Sequence, residues 1–180
     1  MYNQLQRLNS VVTFALTVAF VLMGVVSFTS LYQPLDASAN VKVKGIRLRQ
    51  GSSFPDYYNE NAAKSEYVHL AMDIDADLTK LFHWNTKQVF LMLVAEYETP
   101  KMATNQLVLW DTIVQSPEDA QFKLRKYRNK YHFNHFSRKF DTQSANLTFY
   151  WDITPHIGLL QRQRQGKIPM KVTLPPLSYK

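Results

Sequence analysis

Asn146-Leu147-Thr148 is an N-x-[ST] sequon with no proline at its centre, and no other stands in the chain. Such a tripeptide accepts an N-linked sugar when the chain enters a secretory compartment. Asn146, Thr148, Tyr150 and Asp152 alternate with Leu147, Phe149, Trp151 and Ile153, so a strand here turns the acceptor away from an apolar face. Asp73-x-Asp75-x-Asp77 imitates the opening of a calcium-binding EF loop, yet Leu78 stands where that loop needs glycine and Trp84 where it needs its bidentate glutamate. Three like charges on one strand face repel one another and invite a basic partner. His132-x-x-His135 places its imidazoles on opposite sides of a strand, where they cannot share one metal ion. His69 or His83 with Ser52, Ser53 or Ser65 supplies the types for a base and a nucleophile, which only geometry can assemble. Neither a G-x-S-x-G elbow nor an S-x-x-K dyad accompanies them. From these residues we expect no catalytic residue, no metal site and no cofactor.

Two basic clusters complete the inventory. Lys123, Arg125, Lys126, Arg128 and Lys130, followed by Arg138 and Lys139, are interleaved with aromatics. In a cytosolic protein that pattern reads as an RNA surface. Arg162, Arg164 and Lys167 form the second. Each is also what a solvated strand face looks like, or a contact for lipid headgroups or an acidic protein surface. The whole chain of 180 residues carries a formal net charge of +7 and no cysteine. Disulfides, thiolate metal sites and cysteine nucleophiles are therefore excluded.

The element that decides among these readings is Val12 to Tyr32, which contains no charged residue. About 20 apolar residues at about 1.5 Å rise cross the hydrocarbon core of a bilayer as a helix. Thr13, Thr17, Ser27, Thr29 and Ser30 interrupt the run, and hydroxyls that return a hydrogen bond to the preceding turn are tolerated in lipid. Arg7 precedes the span and Asp36 is the first charge after it. The positive-inside bias then keeps residues 1–11 in the cytosol and sends residues 33–180 across. The alternative is a cleaved secretory signal, for which Ala37-Ser38-Ala39 provides a small-residue site. Against it stand the length of the run and the intervening Pro34 and Asp36. A basic domain across the membrane meets no nucleic acid.

Beyond a polar tether, Gln33 to Asn40, the patterning is that of strands. Val41-Lys-Val-Lys44 alternates on odd positions and Ile46-Arg-Leu-Arg49 on even ones, with Gly45 at the change of phase, which is a bulge signal. Gly51 to Ser65 reads as a loop whose Phe54, Tyr57 and Tyr58 pack locally. Val68, Leu70, Met72, Ile74, Ala76 and Leu78 share one parity, giving a strand with one buried face. A turn or short helix, Thr79 to Asn85, leads to Val89–Ala95. That segment is apolar at both parities, as in a central strand covered on both faces, although a short buried helix has the same signature. Further strands are expected at Asn105–Val114, Gln121–Lys126, Lys130–Phe136, Ala145–Ile153 and Ile168–Leu174, separated by turns that include Pro155 to Gly166. The sum is an all-β lumenal sandwich of antiparallel strands behind a single N-terminal transmembrane helix.

The segments Asp73-Ile-Asp-Ala-Asp-Leu78, Leu81-Phe-His-Trp-Asn-Thr-Lys-Gln88, Ala95-Glu-Tyr97, Asn105-Gln-Leu-Val-Leu-Trp-Asp111 and Asn146-Leu-Thr148 follow in that order. In this the chain resembles the signal peptidase complex subunit 3 family, the 22/23 kDa glycoproteins of the endoplasmic reticulum. The resemblance implies a non-catalytic accessory role beside the proteolytic, serine-protease subunit and the small membrane subunits, in removing signal peptides. It implies no cofactor. The competing class is a stand-alone membrane-anchored lumenal module that binds cargo or glycans without the protease.

Overall fold

The computed structural model describes residues 3–51, 64–100, 102–134, 144–165 and 170–173. The apolar run lies within helix α1, Gln4–Ser30, about 40 Å long at its rise per residue. Its hydroxyls do return to the backbone: Thr17 Oγ1 donates to Thr13 O at 2.9 Å, Thr29 Oγ1 to Val26 O at 2.9 Å and Ser30 Oγ to Val26 O at 3.0 Å. The rest of the protein buries none of its apolar window, and Ser30 is the helix's one buried residue. A helix so apolar and so uncovered has its partner outside the chain, in lipid.

Two antiparallel sheets follow. One contains β1 (Ser38–Gly51), β2 (Ser65–Asp77), β5 (Gln121–Arg128) and the short β6 (Phe133–Asn134), with β2 central and β5 and β6 in line along one of its sides. The other runs β4 (Met102–Val114), β3 (Thr86–Thr99), β7 (Ser144–Pro155), with β8 (Gln161–Arg164) and β9 (Met170–Thr173) on the outer side of β7. The core between them comes from the expected parities. Val68, Leu70, Met72, Ile74 and Ala76 of β2 face Val89, Leu91 and Leu93 of β3 and Leu147, Phe149 and Trp151 of β7 within one buried cluster. Tyr97 tilts against Phe133 with ring centroids 5.7 Å apart, and Trp110 against Phe122 at 6.0 Å. The register breaks between Val43 and Gly45, where the change of phase places the bulge.

Four expectations need correction. The tether is shorter than Gln33 to Asn40, because β1 begins at Ser38. Strand β3 is fully covered on one face and only partly on the other: Val89, Leu91 and Leu93 are fully buried, whereas on the outer face Val94 is buried and Phe90 and Met92 are half-buried. Of the strand expected over Lys130–Phe136, residues 130–132 are not strand, β6 covers Phe133–Asn134, and residues 135–136 lie outside the described residues. The Asn129 side chain occupies the ladder position instead, accepting the Leu70 N–H at 2.9 Å and donating to Val68 O at 3.4 Å and Tyr131 O at 2.6 Å. An Asn amide carries the same donor and acceptor as a peptide group, so it can stand in for a strand residue. Finally, the turn from Pro155 to Gly166 contains β8. Its QRQR sequence has no apolar face to announce a strand, but Arg162 and Arg164 pair opposite Asp152 and Tyr150.

Candidate functional site

The acidic row of β2 finds its basic partner inside the fold. Asp73 Oδ1 accepts the Lys126 backbone N–H at 2.8 Å, and Lys44 Nζ lies 3.6 Å from its other oxygen. Lys126 has φ 50°, in the left-handed region that a lysine adopts only where something holds it. It belongs to a bulge, since the register slips between Met72 and Ile74, and Asp73 satisfies the amide that the bulge removes from the ladder. The Arg125 guanidinium reaches within 2.8 Å of Asp75 Oδ1, with hydrogen-bond geometry met at Oδ2 at 3.1 Å. Asp77 Oδ1 accepts the Thr79 N–H at 3.1 Å. The row that imitates a calcium loop is thus tied up within the fold, Asp73 and Asp75 to neighbouring strands and Asp77 to the turn that follows β2. Among the described residues no group of three His, Asp or Glu side chains is placed to hold a metal ion.

These ties fix a pH dependence. The hydrogen bond from Lys126 N–H holds the Asp73 carboxyl below its ordinary value, and the Lys130 ammonium does the same for Asp111 across an ion pair of 2.8 Å. A carboxyl depressed in the folded state stabilises it fully above the ordinary carboxylate pKa of about 4, and that contribution is lost as pH falls through the depressed value. The melting temperature is therefore expected to drop on acidification below about pH 4. An Asp73→Asn variant should show a shallower drop, and an unchanged acid slope would remove Asp73 from this account.

Among the described residues the nucleophile and base candidates are not brought together. Ser65 and His69 lie four residues apart on β2, roughly 13 Å at strand rise. His69 stacks edge-on against Tyr67 with centroids 5.1 Å apart. Burial lowers its pKa first, and Arg49, His132 and Arg128 add to the shift. His83 is at the other end of the domain, 3.3 Å from Pro34 O. Ser52, Ser53, His135, Arg138, Lys139 and Lys167 lie outside the described residues, as do Phe54, Tyr57 and Tyr58.

Three surfaces remain. On the first sheet, Lys44, Arg47, Arg49, His69, Lys126 and Arg128 line a groove of about 430 Å³. Arg47, Arg49 and Arg128 form no ion pair among the described residues. On the second sheet, Asn146 lines a groove of about 510 Å³ with Glu96, Gln106, Tyr150 and Arg164. There Tyr150 Oη donates to Glu96 Oε1 at 2.5 Å and Gln106 Nε2 donates to the same oxygen at 3.0 Å. The bond to Glu96 raises the Tyr150 pKa, and burial adds to it.

The third surface joins helix to sandwich. Asn85 Nδ2 donates to Ser30 Oγ and, at 2.7 Å, to Ile157 O, while Asn85 Oδ1 accepts the Ile157 N–H at 3.1 Å. Gln161 Nε2 donates to Ser30 O at 3.1 Å. Trp151 Nε1 donates to Leu35 O at 2.9 Å, and Gln165 Nε2 donates to Ala39 O. Sequence patterning assigned no chemistry to Asn85, although it sits in the Leu81–Gln88 segment that carries the family resemblance. An uncharged Asn between two loops gives no periodic signal.

These features define a class: a single-span, membrane-anchored antiparallel β-sandwich. The family model described as "Signal peptidase subunit" matches residues 1–176. The chain belongs to that family. It is similar to "Signal peptidase complex subunit 3" of Schizosaccharomyces pombe, 31% identical over 147 residues that cover 80% of this chain and 79% of the relative. The subunit 3 of Gallus gallus is 32% identical over 89% of this chain and 87% of its own, and that of Drosophila melanogaster 31% over 93% and 92%.

Proposed function

We propose that this chain is a non-catalytic accessory subunit of the signal peptidase complex. In this reading residues 1–11 are cytosolic, residues 12–32 span the endoplasmic reticulum membrane, and residues 33–180 form the lumenal domain. There it supports and positions the proteolytic subunit while signal peptides are removed. Membership of the family over nearly the full chain carries the proposal. The junction supports it physically: a sandwich hydrogen-bonded to the end of its own anchor presents its surfaces at a fixed height and angle. Such preorganisation lowers the entropic cost of holding a scissile bond near a protease.

Depletion of the chain is expected to accumulate unprocessed precursors and to destabilise the proteolytic subunit, and purification in gentle detergent should recover that subunit and the small membrane subunits with it. Normal processing with a stable protease, or recovery of the chain alone, would favour the stand-alone module instead. A serine-directed probe should label the protease and leave this chain unlabelled.

Asn146 tests the topology. It is half-buried on the outer face of β7 beside Glu96 and Tyr150, so an attached sugar would project over that groove. Digestion with an N-glycosidase should increase the mobility of the wild-type chain and leave Asn146→Gln unchanged. Equal mobility before and after digestion would withdraw Asn146 as an acceptor.

A further inference from the structure

The end of the sandwich that receives the helix exposes large apolar side chains. Trp84 is 65% exposed, Leu159 70%, Leu160 58% and Ile157 36%. They come from two loops, residues 82–86 leading into β3 and residues 156–160 between β7 and β8, and neither loop contains Asp, Glu, Lys or Arg. Asn85 knits the loops together, since it bonds Ile157 through both side-chain atoms and accepts the His156 N–H at 2.8 Å on its backbone oxygen. Leu31 and Tyr32, also exposed, emerge from the helix beside them. A contiguous exposed apolar patch marks a contact surface.

Depth identifies what covers it. Gly158 has φ +128°, and a Cβ there would stand 3.1 Å from Ser27 Oγ and 3.4 Å from Ser27 Cα. The 156–160 loop therefore lies against the helix at Ser27, three residues before the helix ends and so about 4.5 Å down its axis. Ser27 belongs to the uncharged run from Val12 to Tyr32. A bilayer that covers this run to its end reaches the level of Leu159 and Leu160.

We propose that the 82–86 and 156–160 loops form a second membrane contact, seated in the interfacial zone of the bilayer beside the helix. Trp84 has the amphipathic ring that this zone favours. Exposed Lys80 and Lys87 bracket the first loop and reach headgroup phosphates with their ammonium groups while their stems lie on apolar surface. The sandwich is then held by the helix and by two loops, and cannot swivel about a single rod. This contact requires only that the helix span a bilayer, so it stands or falls separately from the accessory role.

The test is fluorescence of the full chain reconstituted in phosphatidylcholine vesicles. Trp110 and Trp151 are buried at 4% and 3% exposure, which leaves Trp84 as the accessible indole. Lipids brominated near the headgroup end of the acyl chain should quench Trp84 more than lipids brominated near the chain terminus, and more than aqueous iodide does. Trp84→Phe should lose that quenching and keep its circular dichroism, because an exposed side chain contributes little to folding. Quenching of Trp84 by iodide with no response to brominated lipid would overturn the proposal. Protection from both quenchers would also overturn it, since protein would then cover the patch.

Discussion

Replacing Asn85 with alanine is expected to uncouple the helix from the sandwich without unfolding either. Asn85 is 5% exposed, and its side chain bonds Ser30 Oγ, Ile157 O and Ile157 N. Removing it leaves the part-buried Ile157 carbonyl and amide without their partner and releases the serine, at about 1–3 kcal/mol for each group that water does not rescue. Because the junction is at the edge of the fold, partial rescue holds the total to about 2–4 kcal/mol, or a melting temperature lowered by roughly 5–10 °C in a chain of this size. The sharper readout is geometric. Spin labels on the outer face of β2 and near the middle of α1 should give a narrow distance distribution in the wild type and a broad one in Asn85→Ala. Equal widths would mean that the remaining contacts already fix the angle, and that Asn85 does not.

Trp151→Ala is expected to cost more stability than Asn85→Ala. The indole is 3% exposed in the centre of the second sheet, opposite Leu91 of β3 and Gln163 of β8, and truncation of a buried Trp removes about 3–5 kcal/mol. Its N–H also holds Leu35 O at 2.9 Å, so the connector after the helix loses a tie to the core. Trp151→Phe separates the two contributions: it keeps most of the buried ring and deletes only the donor, for about 1–2 kcal/mol. Denaturant midpoints should fall in the order wild type, Trp151→Phe, Trp151→Ala. Coincidence of the first two would show that the Leu35 bond contributes nothing net.

What could be read from sequence follows from what produces a period. The parity of Val68 to Leu78 announces β2 because one face is dry and the other wet. The phase change at Gly45 locates a bulge for the same reason, and the uncharged run fixes the helix. Strand β8 escaped because an edge strand of Gln and Arg buries no alternating face, and its register is set by Asp152, which forms a two-point ion pair with Arg162 at 2.7 Å. The strand expected from Lys130 begins only at Phe133, since ahead of it the Asn129 side chain takes the place of backbone against β2. The acidic triplet invites basic partners, and the structure supplies two from neighbouring strands of the same chain, Lys44 of β1 to Asp73 and Arg125 of β5 to Asp75, while Asp77 caps the turn at Thr79; only the register shows this. The junction was invisible altogether, since Ser30, Asn85 and the 157–161 segment are far apart in sequence and polar contacts of that kind leave no pattern.

The connector between helix and sandwich runs only from Leu31 to Ala37, and Pro34 and Leu35 within it are pinned to His83 and Trp151. Bilayer thickness thereby becomes a mechanical input to the domain. Where the hydrocarbon layer thins, a helix of fixed length must lean or protrude, and with no slack in the joint the sandwich is carried along like the head of a lever. A slack joint would have absorbed that motion. This one passes a change in helix tilt on to the sandwich.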